Sequence, residues 1–235
     1  MPSAPVEPVG PADPAAPGTR DRLVRTMTGA LARRGLHGIG LTELLARAGA
    51  PKGVLYHHFP GGKTELALEA VRVGAARVVA GLDALTEADG DPAVALRAWF
   101  TGALDRLEGS GFERGCPLAT VALESTPDDV AMRAALAEAF AAVRDRLTTL
   151  LWRAGAAPDR AAGLAALIVA TYEGALMQAR VAGSAAPMRQ ACDTLVLLVD
   201  SELGAAHARA ARAARAARAA RADRGDRGDR GGSAS

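Results

Sequence analysis

From residue 19 onward no stretch of this chain alternates apolar and polar side chains as a half-buried strand must. Ala, Leu, Arg and Glu dominate, apolar positions recur at helical spacing, and Gly or Pro interrupts the pattern about every 15 to 30 positions. A chain of this kind is expected to pack as an all-α fold of helices joined by short turns. Its 235 residues are 49% hydrophobic, enough for a real core in one large domain or two small ones.

The helices can be placed from the N-terminal side. A first is expected over 19–34, with Leu23, Met27 and Ala30 or Leu31 on one side and Gly35 just past its end. Thr42 is placed to cap a short second helix, with Glu43 in its first turn, Leu44, Leu45 and Ala48 facing inward and Gly49 closing it. Pro51 suits the first position of a third helix, KGVLYHH, closed by Phe59 and the breaker run Pro60, Gly61, Gly62. A long helix follows over 63–86, carrying Leu66, Ala67, Val71, Ala75, Val78 and Leu82 on one side. Two short helices joined by a tight turn outline a helix-turn-helix.

At about 100° per residue, Pro51, Leu55 and Phe59 fall on one side of the third helix and Lys52, Gly53, Tyr56 and His57 on the other. The apolar side is expected to dock on the first two helices. The open side combines a cation, a bare backbone and two aromatic donors, which is what contact with phosphates and base edges requires. His58 projects nearer the buried side.

Charge supports this reading once it is divided along the chain. The formal net charge is only +2, yet residues 19–63 carry 8 basic and 2 acidic side chains (+6), 64–204 carry 12 and 19 (−7), and 205–235 carry 8 and 3 (+5). Two basic segments are therefore expected to meet a polyanion while the acidic body stays off it. In the tail Arg recurs at 209, 212, 215, 218 and 221, before three DRG repeats. Arginines three apart wind round a helix instead of forming a stripe, which excludes an amphipathic membrane helix. The tail reads either as a solvated, partly helical extension or as a nonspecific phosphate contact.

Several function classes are not expected. Residues 1–18 have neither a basic n-region nor an apolar h-region, so they read as a disordered Pro-rich leader, and the protein is expected in the cytoplasm. The longest uncharged apolar stretch, 161–172, falls short of the roughly 20 residues of a membrane span. Cys116 and Cys192 are far apart and lack a CxxC or a Cys/His cluster; His57 and His58 are adjacent, with no partner His one turn away. No metal site, disulfide or cofactor follows from them. GxSxG, HExxH, P-loop and paired-carboxylate patterns do not occur, so an enzyme is not expected.

The stretch GLTELLARAGAPKGVLYHHFPGGKTEL, residues 40–66, closely resembles the helix-turn-helix of TetR/AcrR-family transcriptional repressors. The HHFPGGK form, with one residue more than usual between Phe and Lys, and GCPLATVALES over 115–125 resemble the LmrA/YxaF-type branch. The resemblance implies a helix-turn-helix DNA-binding domain over 19–66, a helical effector-binding and dimerisation domain over 67–204, and a basic Ala/Arg and DRG extension over 205–235. It implies phosphate contacts by Thr42, Tyr56, His58 and Lys63, base reading by Lys52, Gly53 and Val54, and either role for His57. Pro51 stands where a Ser commonly contributes a hydroxyl, which removes that contact. Lys63 also lies in the first turn of its helix, where free N–H groups favour a phosphate. Val54 remains open between a flank of the core and an apolar contact to a thymine methyl.

In the body, helices are expected over 92–108, 117–125, 128–153, 158–182 and 187–203. The last two have small-and-apolar faces: Leu164, Leu167, Ile168, Thr171 and Ala175 on one, Met188, Cys192, Leu195, Val196 and Val199 on the other. By resemblance these faces pair two subunits in a four-helix interface; the core of one subunit is the other reading. Trp99, Phe100, Phe112, Cys116, Phe140, Trp152, Tyr172 and Met177 are candidates to line an effector cavity, each with core packing as its alternative. A redox role for Cys116 has only Arg114 nearby to lower its thiol pKa. The reading is a homodimeric repressor on palindromic double-stranded DNA, released when a small, largely apolar effector tilts the long helix starting at Lys63. A sequence-nonspecific nucleoid-type DNA-binding protein is the rival.

Overall fold

The computed structural model describes residues 18–230, so the leader up to residue 17 and the last five residues of the tail lie outside the described residues. Among the described residues there is no strand, and nine helices follow one another. They are α1 (Thr19–Arg34), α2 (Leu41–Ala48), α3 (Lys52–His58), α4 (Gly62–Asp89), α5 (Pro92–Glu108), α6 (Pro117–Glu124), α7 (Val130–Arg153), α8 (Pro158–Ala182) and α9 (Ala186–Arg230). Glycines 35, 49, 90, 109 and 183 follow the C-termini of α1, α2, α4, α5 and α8, and prolines open α5, α6 and α8. Asp91 caps α5, its carboxylate accepting the Ala93 N–H at 2.8 Å.

Two expected helix starts are corrected. Thr42 does not cap α2: Gly40 is the N-cap, in extended conformation, and its carbonyl accepts the Leu44 N–H at 3.0 Å. Thr42 stands exposed one position inside the first turn, because starting the helix at Leu41 packs that side chain on the core, which a hydroxyl cap would forgo. Pro51 caps α3 from outside it and is exposed, leaving Leu55 and Phe59 to dock the helix.

The interior divides into two hydrophobic clusters. The first joins Leu23, Met27 and Leu31 of α1, Leu44 of α2, and Leu55 and Phe59 to the N-terminal half of α4. It also draws in Leu118 and Val121 of α6 and Met132 and Leu136 of α7. Burying a side chain of that size contributes about 1.5–3 kcal/mol, so α6 and α7 stabilise the N-terminal module directly. The second cluster is built from α5, α7, α8 and α9 on Leu82 of α4. Helix α4 therefore runs through both, and the expected boundary between residues 66 and 67 falls inside it. An ion pair between Asp83 and Arg146 ties its distal half to α7.

The apolar faces expected to pair subunits are corrected by burial. Leu164, Ile168, Ala175, Met188, Cys192, Leu195, Val196 and Val199 lie inside the second cluster of the same chain. Of the expected α8 face Leu167 is exposed and Thr171 half-buried; Leu167 joins Ala170, Met177 and Val181 in an outer stripe of α8, and α9 exposes Leu197. By length and composition alone helix α8 is apolar enough to cross a membrane, although its uncharged stretch, 161–172, is short. Its inward side is committed to the second cluster. The basic segment continues α9 without a break through Arg230. Leu203 is still buried and His207 packs on Gly155, with Nε2 3.0 Å from where a Cβ would stand; Arg209, Arg212 and Arg215 are exposed.

Candidate DNA-binding face and effector cavity

Helix α3 presents its outer side as a single face. Leu55 and Phe59 are buried, whereas Lys52, Gly53, Tyr56 and His57 are exposed and Val54 and His58 half-buried. Phe59 is held from outside by Arg20, whose guanidinium lies 5.3 Å from the ring centroid and pairs with Glu69 of α4 at 2.6 Å. His58 bridges the exposed and buried sides, its ring edge-on to His57 at 5.1 Å and to Phe59 at 6.4 Å. The helix end therefore frees His58 only in part, between the buried position that periodicity suggests and the phosphate role that the resemblance implies.

Gly62 escaped sequence reasoning as a functional residue. It has φ 67°, and a Cβ there would stand 3.2 Å from Cε1 of Tyr56. The absent side chain lets the Tyr56 ring lie along the turn, and the left-handed conformation starts α4. The signal was present in the doubled glycine of HHFPGGK. Lys63 follows, half-buried in the first turn of α4, where the Gly61 N–H is already taken by the Glu65 carboxylate at 2.7 Å. On α2 the cations are engaged: Glu43 accepts from Arg47 at 2.6 Å and from Arg34 of α1 at 3.0 Å.

A cavity of about 630 Å³ lies between this module and the body. Trp99, Cys116, Phe140 and Tyr172 line it, together with Val78, Leu85, Val143, Val169 and Leu176, so its wall is mainly apolar. Phe100 touches the Tyr172 ring edge-on at 5.2 Å but opens on a smaller pocket of about 190 Å³ between α5 and α9. Phe112, in a left-handed conformation rare for a bulky residue (φ 64°), packs against the second cluster in the turn before α6. The expectation for Trp152 and Met177 is corrected: they are 57% and 55% exposed and lie away from the cavity. Burial pushes the Cys116 thiol well above its usual range and the Glu173 carboxyl beside it adds to the effect, the opposite of an oxidant-reactive thiolate.

The cavity also touches α1, through Thr28 and Ala32. Three hydrogen bonds from the body grip the end of that helix. Gly115, in the cavity wall, donates its N–H to the Ala32 carbonyl at 2.8 Å, and Arg180 of α8 donates to the Arg33 carbonyl at 2.8 Å. The Glu124 carboxylate accepts the Leu36 N–H at 2.5 Å and occupies the place where a Cβ on Gly35 would stand. Gly35 has φ 72°, so Gly35→Ala meets both strain and a displaced carboxylate. At about 1–3 kcal/mol for the strain alone, the substitution is expected to lower Tm by roughly 2–12 °C in thermal unfolding.

A short amphipathic reading helix, docked on two others and joined by one long helix to a helical body, defines a helix-turn-helix DNA-binding regulator. Known proteins agree with that class. The model for bacterial regulatory proteins of the tetR family matches residues 29–70, and that for the C-terminal domain of LmrA/YxaF-like transcriptional regulators matches 92–194. An uncharacterised HTH-type transcriptional regulator of Mycobacterium tuberculosis is 36% identical over 177 residues, 73% of this chain and 89% of that protein. The HTH-type transcriptional regulator LmrA of Bacillus subtilis is 28% identical over 170 residues, 72% of this chain and 90% of that protein. A crystal structure of the regulatory protein TetR from Rhodobacter sphaeroides matches with a TM-score of 0.68 at 26% identity, covering 76% of this chain and 97% of that one. The chain belongs to the TetR family of transcriptional regulators, with an LmrA/YxaF-like C-terminal domain.

Proposed function

We propose that the protein is a homodimeric repressor that leaves a palindromic operator when a small, largely apolar effector enters the cavity. The observation that carries this reading is the shared wall: Thr28 and Ala32 of the DNA-binding module line the same cavity as Trp99 and Tyr172 of the body. An effector seated there presses on α1 directly and on Gly115, which holds the Ala32 carbonyl. Because α4 belongs to both clusters, movement of α1 against the body also shifts α4, and with it the spacing of the two α3 helices in a dimer. Lys52, Gly53 and Val54 read base edges, Thr42, Tyr56, His58 and Lys63 hold phosphates, and His57 serves one or the other. Such a regulator works in the cytoplasm, where its operator is.

The test is a footprint on the promoter region beside its own gene, repeated with candidate ligands. A two-fold symmetric protected site that disappears with one ligand class is expected; uniform protection of all DNA overturns the reading in favour of a nucleoid-type protein. The exposed Arg209, Arg212 and Arg215 favour an accessory phosphate contact by the tail. Removing residues 209–235, which leaves His207 on Gly155, is expected to weaken operator and random DNA equally. For each phosphate that the shortened chain fails to neutralise, the slope of log K against log salt flattens by about 0.9. Loss of specificity instead would make the tail a reader.

A further inference from the structure

The cavity is lined by a stacked pair of aromatic rings and by three arginines. Trp99 and Tyr172 stack in its wall with centroids 4.1 Å apart and planes 4° from parallel. Facing them, α4 turns Gly74 and Gly81 toward the space, and a Cβ at either would meet nothing within 4 Å. Glycine inside a helix costs stability, so two unfilled positions on one cavity wall keep a slot open. Arg77, Arg106 and Arg114 also line the cavity, and none of them forms an ion pair among the described residues. Nearby cations are engaged: Arg33 faces Glu113 at 3.6 Å and Arg180 holds the Arg33 carbonyl. Burial lowers the pKa of Arg114, and repulsion from Arg33 and Arg106 adds to it. Glu173 is the one carboxyl among the lining residues; burial raises its pKa, and the three arginines outnumber it.

We propose that the effector is a flat apolar acid, its body in the slot beside the Trp99–Tyr172 stack and its carboxylate between Arg106 and Arg114. This rests on the ligand-responsive reading above and adds the charge of the ligand to it. The carboxylate supplies the counter-charge the arginines lack, and guanidinium pairs are suited to bind it in two-pronged fashion. It also draws Arg114 toward the ligand, and Arg114 adjoins Gly115, whose N–H holds α1. A cationic ligand meets three like charges in the lining against a single carboxyl.

The test uses the purified full chain and three matched probes in calorimetric titration: biphenyl-4-carboxylate, biphenyl-4-carboxamide and biphenyl-4-methylamine. The carboxylate is expected to bind about 10- to 100-fold more tightly than the carboxamide, with the amine weakest. Arg106→Gln with Arg114→Gln is expected to bring the carboxylate down to the affinity of the carboxamide, and Gly81→Leu, which fills the slot, to weaken every probe. Equal affinities, preference for the amine, or no binding by any probe overturns the proposal. Anisotropy of labelled promoter DNA in the same preparation separates the two readings. Intact operator binding without carboxylate preference sinks the acid alone, whereas loss of specific DNA binding sinks the regulator.

Discussion

Lys52→Ala or Tyr56→Ala is expected to abolish specific operator binding and leave the dimer intact. Lys52 occupies the first turn of α3 and Tyr56 lies one turn on, 44% exposed with its ring along Gly62. Neither belongs to a hydrophobic cluster, so truncation costs the fold little. The proposed dimer would use each residue twice, once per half-site. At about 1–3 kcal/mol per contact the loss is roughly 2–6 kcal/mol, or about 30-fold to more than 10,000-fold in Kd. Fluorescence anisotropy on the promoter fragment, beside light scattering for mass, measures both quantities. Specific shifts that survive both substitutions would remove α3 from the role of reader. Leu55→Ala is no substitute for this test, because emptying a buried leucine site costs about 2–5 kcal/mol of stability and removes the helix itself.

Most of the outer face of α3 is legible in the sequence because the helix is short and its two sides differ in chemistry, although Pro51, which the projection puts on the docking side, is exposed. Leu55 and Phe59 are buried, and Lys52, Gly53, Tyr56 and His57 are exposed, as a helical projection of nine residues implies. The same local logic misplaces the start of α2, since Leu41 finds apolar contact that no pattern around Thr42 reveals. On α8 the periodicity identifies apolar sides but not which one the chain covers itself. Trp152 and Met177 show the limit for cavities: side-chain type signals a need for apolar contact without saying whose surface meets it. The grip on α1 is the least legible feature. Leu36 and Glu124 are 88 residues apart and Arg33 and Arg180 147 apart, and a main-chain acceptor has no sequence signature. Gly74 and Gly81 look like weak points of a helix until the cavity beside them explains the missing bulk.

Placing charge on the outer stripe of α8 is expected to produce a folded monomer that no longer holds its operator. Val181 is 84% exposed and Leu197 of α9 70%, and Met177 lies one turn before Val181. Large apolar side chains exposed on α8, with small residues such as Ala170 between them, and Leu197 exposed on α9 are suited to close helix packing against a two-fold copy. The inward sides of both helices are already used, so this stripe is the part of the proposed interface still open to a partner. Met177→Glu with Leu197→Glu would bury four carboxylates near a two-fold axis, and their desolvation and mutual repulsion exceed what the apolar contacts contribute. Because both side chains face outward in the single chain, circular dichroism should keep its helical signal while sedimentation gives one chain instead of two. Operator affinity should fall about 100- to 10,000-fold, the avidity that disappears when the second half-site is no longer tethered. A double variant that stays dimeric and bound would move the interface away from α8 and α9. The charge pairs Arg97 with Asp193 and Arg160 with Glu202 lie within one chain, so they form whether or not the partner is present.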